Sequence, residues 1–396
     1  MKILEHIKNM TVERIMGESR SIIRLALLLL PSFADRRKKY DIWLISERPD
    51  QARDNGYCFF KYIREKHPEV QAYYVIDVNA NDYKKVESYG NIIHFNSWKH
   101  YYYFLLSNKH ISAHVCGCNP EYSTILRYLK KKLKYKDIFL PHGVSYGITE
   151  FCLKKYAKID LFICCGKPEY VNILKNYGYE KEEVAYTGFP RLDSWHNITI
   201  NKKQILVMPT WRAYLSHDRG INIYETLYFK TYQSLLYNSR LISFLENNDL
   251  ELIFYLHHEM RKYVNAFKSK SDNIIVVYKD DQYDIQELLK SAALLITDYS
   301  SVHFDFAYMG KPVIYYQFDQ EDFFGRQYQN SFFEAERDGF GPVTYNKNSL
   351  EMEIEKAYGR SFLMEDKYYR RMRNFYQLYD NRNCERVYQR IRRIKK

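Results

Sequence analysis

Short apolar runs, rich in β-branched and aromatic residues, alternate with longer helical stretches along most of the chain. "DIWLIS" (41–46), "QAYYVID" (71–77), "NIIHF" (91–95), "HISAHV" (110–115), "DIFL" (137–140), "IDLFIC" (159–164) and "EVAYT" (183–187) form a first series. The pattern restarts after about residue 200 with "QILVMP" (204–209), "LELIFYL" (250–256), "NIIVVY" (273–278), "ALLIT" (293–297) and "PVIYYQ" (312–317). Strands alternating with helices predict parallel sheets with helices on both faces. Two such series predict an α/β protein of two Rossmann-like domains. The polar stretch "SWHNITINKKQ" (194–204) marks the boundary, giving a first domain at 41–200 and a second at 201–364. Residues 365–396 read as one basic C-terminal helix with aromatic and aliphatic residues at helical spacing.

In open α/β sheets ligands sit beyond the carboxyl ends of the strands, so the polar residues immediately after each strand are the candidates. After 137–140 comes "PHGVSYG". Pro141 cannot extend a ladder and Gly143 permits a sharp turn, which presents His142 at the sheet edge, a position suited to a general base. After 250–256 come His257 and His258. Successive strand residues point to opposite faces, so His257 is expected in the cleft and His258 in packing. "TGFPRLD" (187–193) and "PTWR" (209–212) place Arg191 and Arg212 beside glycine or proline bends. Arginine there suits phosphate or nucleotide, with ordinary loop chemistry as the alternative.

The densest stretch is "LLITDYSSVHFDFAYMGKPVIYY" (294–316). A helix beginning near Ser301 would join the Ser300 and Ser301 hydroxyls to free backbone N–H groups and make an anion site. Asp305, four residues beyond Ser301, shares its helical face and is expected to hold a hydroxyl or orient a histidine. Simple N-capping explains one of these residues but not all of them. Asp298 suits the turn, and His303 has no assigned role.

At 396 residues and 46% apolar content the chain can supply two cores. Its net charge of +12 is confined to its ends. Residues 1–40 hold nine Lys/Arg against four Asp/Glu and residues 365–396 eleven against four, leaving 41–364 neutral. Basic ends on a neutral body suit an anionic membrane surface better than nucleic acid, whose readers carry their charge on the recognition fold. The run at 22–30, interrupted by Arg24 and stopped by Pro31, is too short to span a bilayer and does not read as a signal peptide. Beside "DRRKKY" it reads as an amphipathic segment touching a membrane, or as a helix packed on its own domain. The seven cysteines form neither a C-x-x-C pair nor a zinc-ligand spacing, and read as reduced thiols of a cytosolic protein.

"ITDYSSVHFDFAYMGKPVIYYQFD" (296–319) resembles the signature block of the CDP-glycerol glycerophosphotransferase family of teichoic acid primases and polymerases. "SERPDQARDNGYCFFKYI" (46–63), "PHGVSYG", "TGFPRLD", "PTWR", "DIQELLKSAALLITDYSS" (284–301) and "NRNCERV" (381–387) resemble its other blocks, in the same order. The chain departs from that pattern at Pro141, where the family often has Trp, and at "HHEM" (257–260). The resemblance implies a glycosyltransferase-B-type fold and transfer of glycerol phosphate or ribitol phosphate from CDP-glycerol or CDP-ribitol to a hydroxyl of a lipid-linked or polymeric cell-wall or capsule glycan, with release of CMP. It implies His142 as base and His257 at the donor phosphates. Ser300, Ser301, Asp305, His258 and Arg212 would hold the donor's phosphate and polyol, and Gly188, Arg191, Thr210 and Asp298 its nucleotide. No metal or other cofactor is expected, and the protein is expected at the cytoplasmic face of the membrane. Two other readings compete: sugar transfer from a nucleotide sugar on the same fold, and a non-enzymatic peripheral membrane or nucleic-acid-binding protein using its basic ends.

Overall fold

The structure, a computed structural model, describes residues 39–120, 135–157, 159–216, 220–278, 283–326 and 331–394. The amphipathic N-terminal segment, up to residue 38, lies outside the described residues. Strands β1 (Ile42–Ser46), β2 (Gln71–Ile76), β3 (Ile92–His94), β4 (Lys109–Ser112), β5 (Lys136–Phe139), β6 (Leu161–Cys164) and β7 (Val184–Tyr186) form one sheet in the order β3-β2-β1-β4-β5-β6-β7. Strands β8 (Asn201–Met208), β9 (Glu251–Phe254), β10 (Ile274–Val276), β11 (Ala292–Thr297), β12 (Val313–Tyr316) and β13 (Val343–Thr344) form a second, ordered β10-β9-β8-β11-β12-β13. All pairings are parallel. The architecture is two Rossmann-like domains, and in each sheet the strand order reverses beside its first strand, between β1 and β4 and between β8 and β11.

β1, β4, β6, β11 and β12 are buried at every residue. Helices cover both faces of a parallel sheet, so its central strands are continuous apolar runs without alternation. That is why they stand out in the sequence. β13, two residues pairing Val343 with Tyr315 and Thr344 with Tyr316, is too short to show a pattern.

Five helices position the site: α1 (Asn55–Lys66), α2 (Lys167–Asn176), α3 (Val302–Tyr308), α4 (Asp366–Phe375) and α5 (Asn383–Arg392). The Asp54 side chain caps α1, Arg64 and Lys66 lie in its last turn, and Phe59, Phe60 and Ile63 are buried. The chain's tail is not one helix but two, α4 and α5, separated by residues 376–382. The second begins where Asp193, from the first domain, accepts the Asn383 and Cys384 N–H groups at 2.7 and 2.8 Å. A cap supplied from 190 residues away leaves no local trace in the sequence.

The tail carries the chain back across the first domain, with α5 packing on α1 and on the turn at Pro190–Ser194 and α4 on α2 and α3. One apolar cluster consequently runs through both domains. The rings of Tyr146 and Phe304 lie 5.8 Å apart, those of Phe304 and Phe375 4.9 Å, and Tyr376 donates to the Phe304 carbonyl at 2.9 Å. All seven cysteines are free. No helix of the described residues is long and apolar enough to cross a membrane.

Candidate active site

At the carboxyl edge of the first sheet, three neighbouring strands end in residues that face outward. β1, β4 and β5 are in register, Ser46 opposite Ser112 and Ser112 opposite Phe139. Arg48, His114 and His142 follow those strand ends and line one edge. His142 is fixed from behind by buried Asn55 at the start of α1. The Asn55 amide donates to the Pro141 carbonyl at 2.6 Å and accepts the Arg191 N–H at 3.1 Å. His142 is exposed, and its ring lies 5.3 Å from that of His114. Desolvation by the protein around it lowers its pKa below 6.5; Asp54 opposes this shift and Arg191 and Arg48 reinforce it. His114 is pushed down to about 4 by burial, with His142 and Arg48 adding to the effect. Desolvation and the neighbouring cations favour neutral rings, the form a base requires, and Asp54 offsets part of that effect at His142.

The opposite wall comes from the second domain. His257, three residues past the end of β9, accepts the Glu259 N–H on Nδ1 at 3.3 Å, so in the neutral ring the proton sits on Nε2. Its pKa falls to about 3, chiefly through desolvation and then through His258, Arg48 and His142. The last two belong to the first domain, so His257 lies within electrostatic reach of it. His258 is exposed, with Nε2 3.3 Å from a Glu259 carboxylate oxygen. The Trp211 ring lies nearly parallel to His257, 6.3 Å away.

Ser300 and Ser301 are half-buried, and their hydroxyls make no hydrogen bond to any described residue; Ser301 does not cap α3 with its side chain. The His142 loop reaches across to them. A β-carbon on Gly143 would lie 2.9 Å from the Ser301 Oγ, so a side chain there would push that hydroxyl aside. Further along the same loop, the Tyr146 hydroxyl donates to the Tyr299 carbonyl. The structure thus brings together His142, His257, Ser300 and Ser301, and adds Arg48 and His114. Neither addition was singled out from the sequence, although both follow a strand end, the signal that selected His142.

The remaining expected site residues turn toward one another instead of the cleft. Arg212 is buried and binds Asp319 through two N–H groups at 2.8 and 3.0 Å and Asp298 at 2.8 Å. Asp298, fully buried, also accepts the Thr210 and Tyr299 N–H groups at 2.7 Å each. This ties the ends of β8, β11 and β12 into one bracket and leaves neither Arg212 nor Asp298 free for a donor. Thr210 has its N–H in the bracket, while its buried hydroxyl has no partner.

Arg191 is buried between Asp54 at 2.8 Å and both oxygens of Asp305 at 2.7 and 2.9 Å. Asp305 therefore holds an arginine, not a substrate hydroxyl or a histidine; burial lifts its carboxyl to about 6 against the pull of Arg191. Gly188, at φ +79°, packs on Asn383, where a β-carbon would meet the amide oxygen at 2.0 Å. The "TGFPRLD" motif is thus a seat for the C-terminal helices rather than a nucleotide loop. His303 is buried among aromatic rings, its Nδ1 2.8 Å from the Ser300 carbonyl and its ring stacked on Phe333. Among the described residues no group of three or more His, Cys, Asp or Glu is placed to hold a metal ion.

Residues 30–393 match the family model described as CDP-Glycerol:Poly(glycerophosphate) glycerophosphotransferase. The minor teichoic acid biosynthesis protein GgaB of Bacillus subtilis is 35% identical over 363 residues, 88% of this chain and 39% of that protein. The teichoic acid glycerol-phosphate primase of the same organism is 29% identical over 199 residues, 48% of this chain and 47% of that one. This chain thus matches less than half the length of either relative. Among solved structures, the wall teichoic acid polymerase TagF superposes with a TM-score of 0.68 over 100% of this chain and 98% of that one, at 18% identity. At that identity the likeness establishes the fold.

Proposed function

Because the chain belongs to the CDP-glycerol:poly(glycerophosphate) glycerophosphotransferase family, we propose that it transfers glycerol phosphate or ribitol phosphate from a CDP-activated donor to a hydroxyl of a cell-wall or capsule glycan. The observation that carries this reading is the approach of the His142 loop, at Gly143, to two serine hydroxyls of the second domain that bond no described residue, with His257 within electrostatic reach of His142. Phosphoryl transfer needs positioning and charge stabilisation more than covalent catalysis, and these groups supply both.

In this mechanism neutral His142 takes the proton of the acceptor hydroxyl, whose oxygen attacks the β-phosphorus of the donor in line. A new P–O bond forms as the bond to CMP breaks. CMP leaves with the electron pair. His257 donates from Nε2 to a phosphate oxygen, and Ser300 and Ser301 donate from the facing wall. Arg212, Asp298, Arg191 and Asp305 act by holding the walls in place.

The test is CMP release from a panel of CDP-polyols in the presence of a lipid-linked or polymeric acceptor. A phosphodiester in the product supports the reading, and a plain glycoside rejects it. Replacing both Ser300 and Ser301 by alanine should weaken CDP-polyol binding about tenfold or more in calorimetry, since each bond to a charged oxygen contributes on the order of 1.5–3 kcal/mol. Unchanged affinity removes the serines from the donor site.

The proposal places the protein at the cytoplasmic face of the membrane, held by its basic ends. At the C-terminal end, Arg370, Arg382, Arg392 and Arg393 are exposed. Sedimentation with anionic vesicles should then be strong at about 0.05 M salt and largely lost at about 0.5 M. Equal recovery with neutral vesicles rejects electrostatic attachment.

A further inference from the structure

The donor site described above leaves one cation of the cleft without a counter-ion. Glu47 and Arg48 follow β1 and point to opposite sides of the chain. Glu47 is buried, and its carboxylate accepts the Arg53 and Asp54 N–H groups at 2.9 Å each and that of Tyr57 at 2.7 Å, around the start of α1. Arg48 is exposed, and its guanidinium makes no hydrogen bond or ion pair with any described residue. Arg191 and Arg212, by contrast, are each held between two carboxylates.

The position of Arg48 follows from strand register. Ser46 of β1 lies opposite Ser112 of β4, and Arg48 and His114 are each two residues further on. They flank the gap between β1 and β4, where the strand order of the first sheet reverses and a ligand crevice opens in a doubly wound sheet. The His114 ring also makes no hydrogen bond to a described residue. Three histidines from both domains feel the Arg48 charge. Arg48 therefore brings to this wall of the cleft a positive charge that no carboxylate of the described residues pairs.

We propose that Arg48, with His114 beside it, forms a phosphate subsite on the first domain's wall of the cleft. This rests on the phosphotransfer reading and extends it. The phosphate is either one of the donor's or one carried by the acceptor next to its attacking hydroxyl, and the guanidinium fork suits both.

Calorimetry on the full chain at low ionic strength with inorganic pyrophosphate, CDP-glycerol and a glycerol phosphodiester oligomer tests the subsite. Arg48→Gln should weaken pyrophosphate and at least one of the other two probes by about ten- to hundredfold. Arg48→Lys should lose less, because the charge remains while the fork is gone. The organic probe that weakens identifies the source, CDP-glycerol for the donor and the oligomer for the acceptor. Arg48 is exposed, so the thermal transition should be unchanged. Equal affinities of wild type and Arg48→Gln for all three probes, a loss confined to pyrophosphate, or a wild-type protein that takes up none of them would overturn the subsite. The broader reading fails separately: a wild type with Arg48-dependent binding of pyrophosphate and oligomer that releases no CMP from any CDP-polyol keeps the subsite and rejects the transferase.

Discussion

Replacing His142 by alanine should lower CMP release by about 10²- to 10⁴-fold while leaving CDP-polyol affinity within about twofold. Asn55 holds the loop through the Pro141 backbone, and the ring itself adds one hydrogen bond to the Ala113 backbone. Stability should therefore fall little, which separates loss of chemistry from loss of structure. A base must be neutral to act, and desolvation holds His142 below the ordinary 6.5. The fraction in the active form rises with pH through that lowered value and is complete by neutrality. The kcat/KM profile should accordingly show its acid limb below pH 6.5 and a plateau between about 7 and 8. An acid limb above 7, or a His142→Ala variant within tenfold of wild-type turnover, would remove His142 as the base.

Replacing Arg191 by methionine should act on stability and on the relation of the two domains, not on donor affinity as such. Its guanidinium joins Asp54, at the start of α1 in the first domain, to Asp305 on α3 in the second. Removing it strands Asp305 in a buried place with no counter-charge. Breaking a buried pair in this way costs about 3–5 kcal/mol, and the thermal transition should fall by on the order of 10 °C. Adding Asp305→Asn should recover part of that loss, because it removes the stranded charge. Additive losses in the double variant would show that the two residues are not coupled. A normal transition temperature with donor affinity alone reduced would instead return Arg191 to the nucleotide site that its motif first indicated.

Arg191 also shows how far a motif can be read. "TGFPRLD" lies after a strand and carries an arginine beside a bend, and both observations hold in the structure. The inference from them to a nucleotide contact does not, because the partner that claims the guanidinium is 114 residues away. Arg212 repeats the lesson, with Asp298 and Asp319 lying 86 and 107 residues further along the chain. His257 is the reverse case. Strand alternation favoured it over His258, yet β9 ends at Phe254 and both histidines belong to the turn beyond it; His257 is the one within electrostatic reach of Arg48 and His142 of the first domain. His114 has no glycine or proline beside it and Arg48 precedes Pro49 in a stretch read only as a family block, so neither was singled out, although both follow strands that enclose the reversal of strand order.

The sequence by itself determined the two parallel sheets, the place of every strand but β13 and the exposure of His142 at a strand end. These rest on local physics: apolar runs must be buried on both faces, and Pro141 with Gly143 must end the ladder. Only the tertiary structure decided which polar residues meet the cleft and which meet each other. A residue's neighbours along the chain specify the edge on which it stands, whereas its counter-ion depends on how two sheets and a returning tail are packed. The buried carboxylates claimed Arg191 and Arg212, because leaving those carboxylates unpaired is expensive in a desolvated place. Arg48, standing where no carboxylate reaches, was left to the cleft.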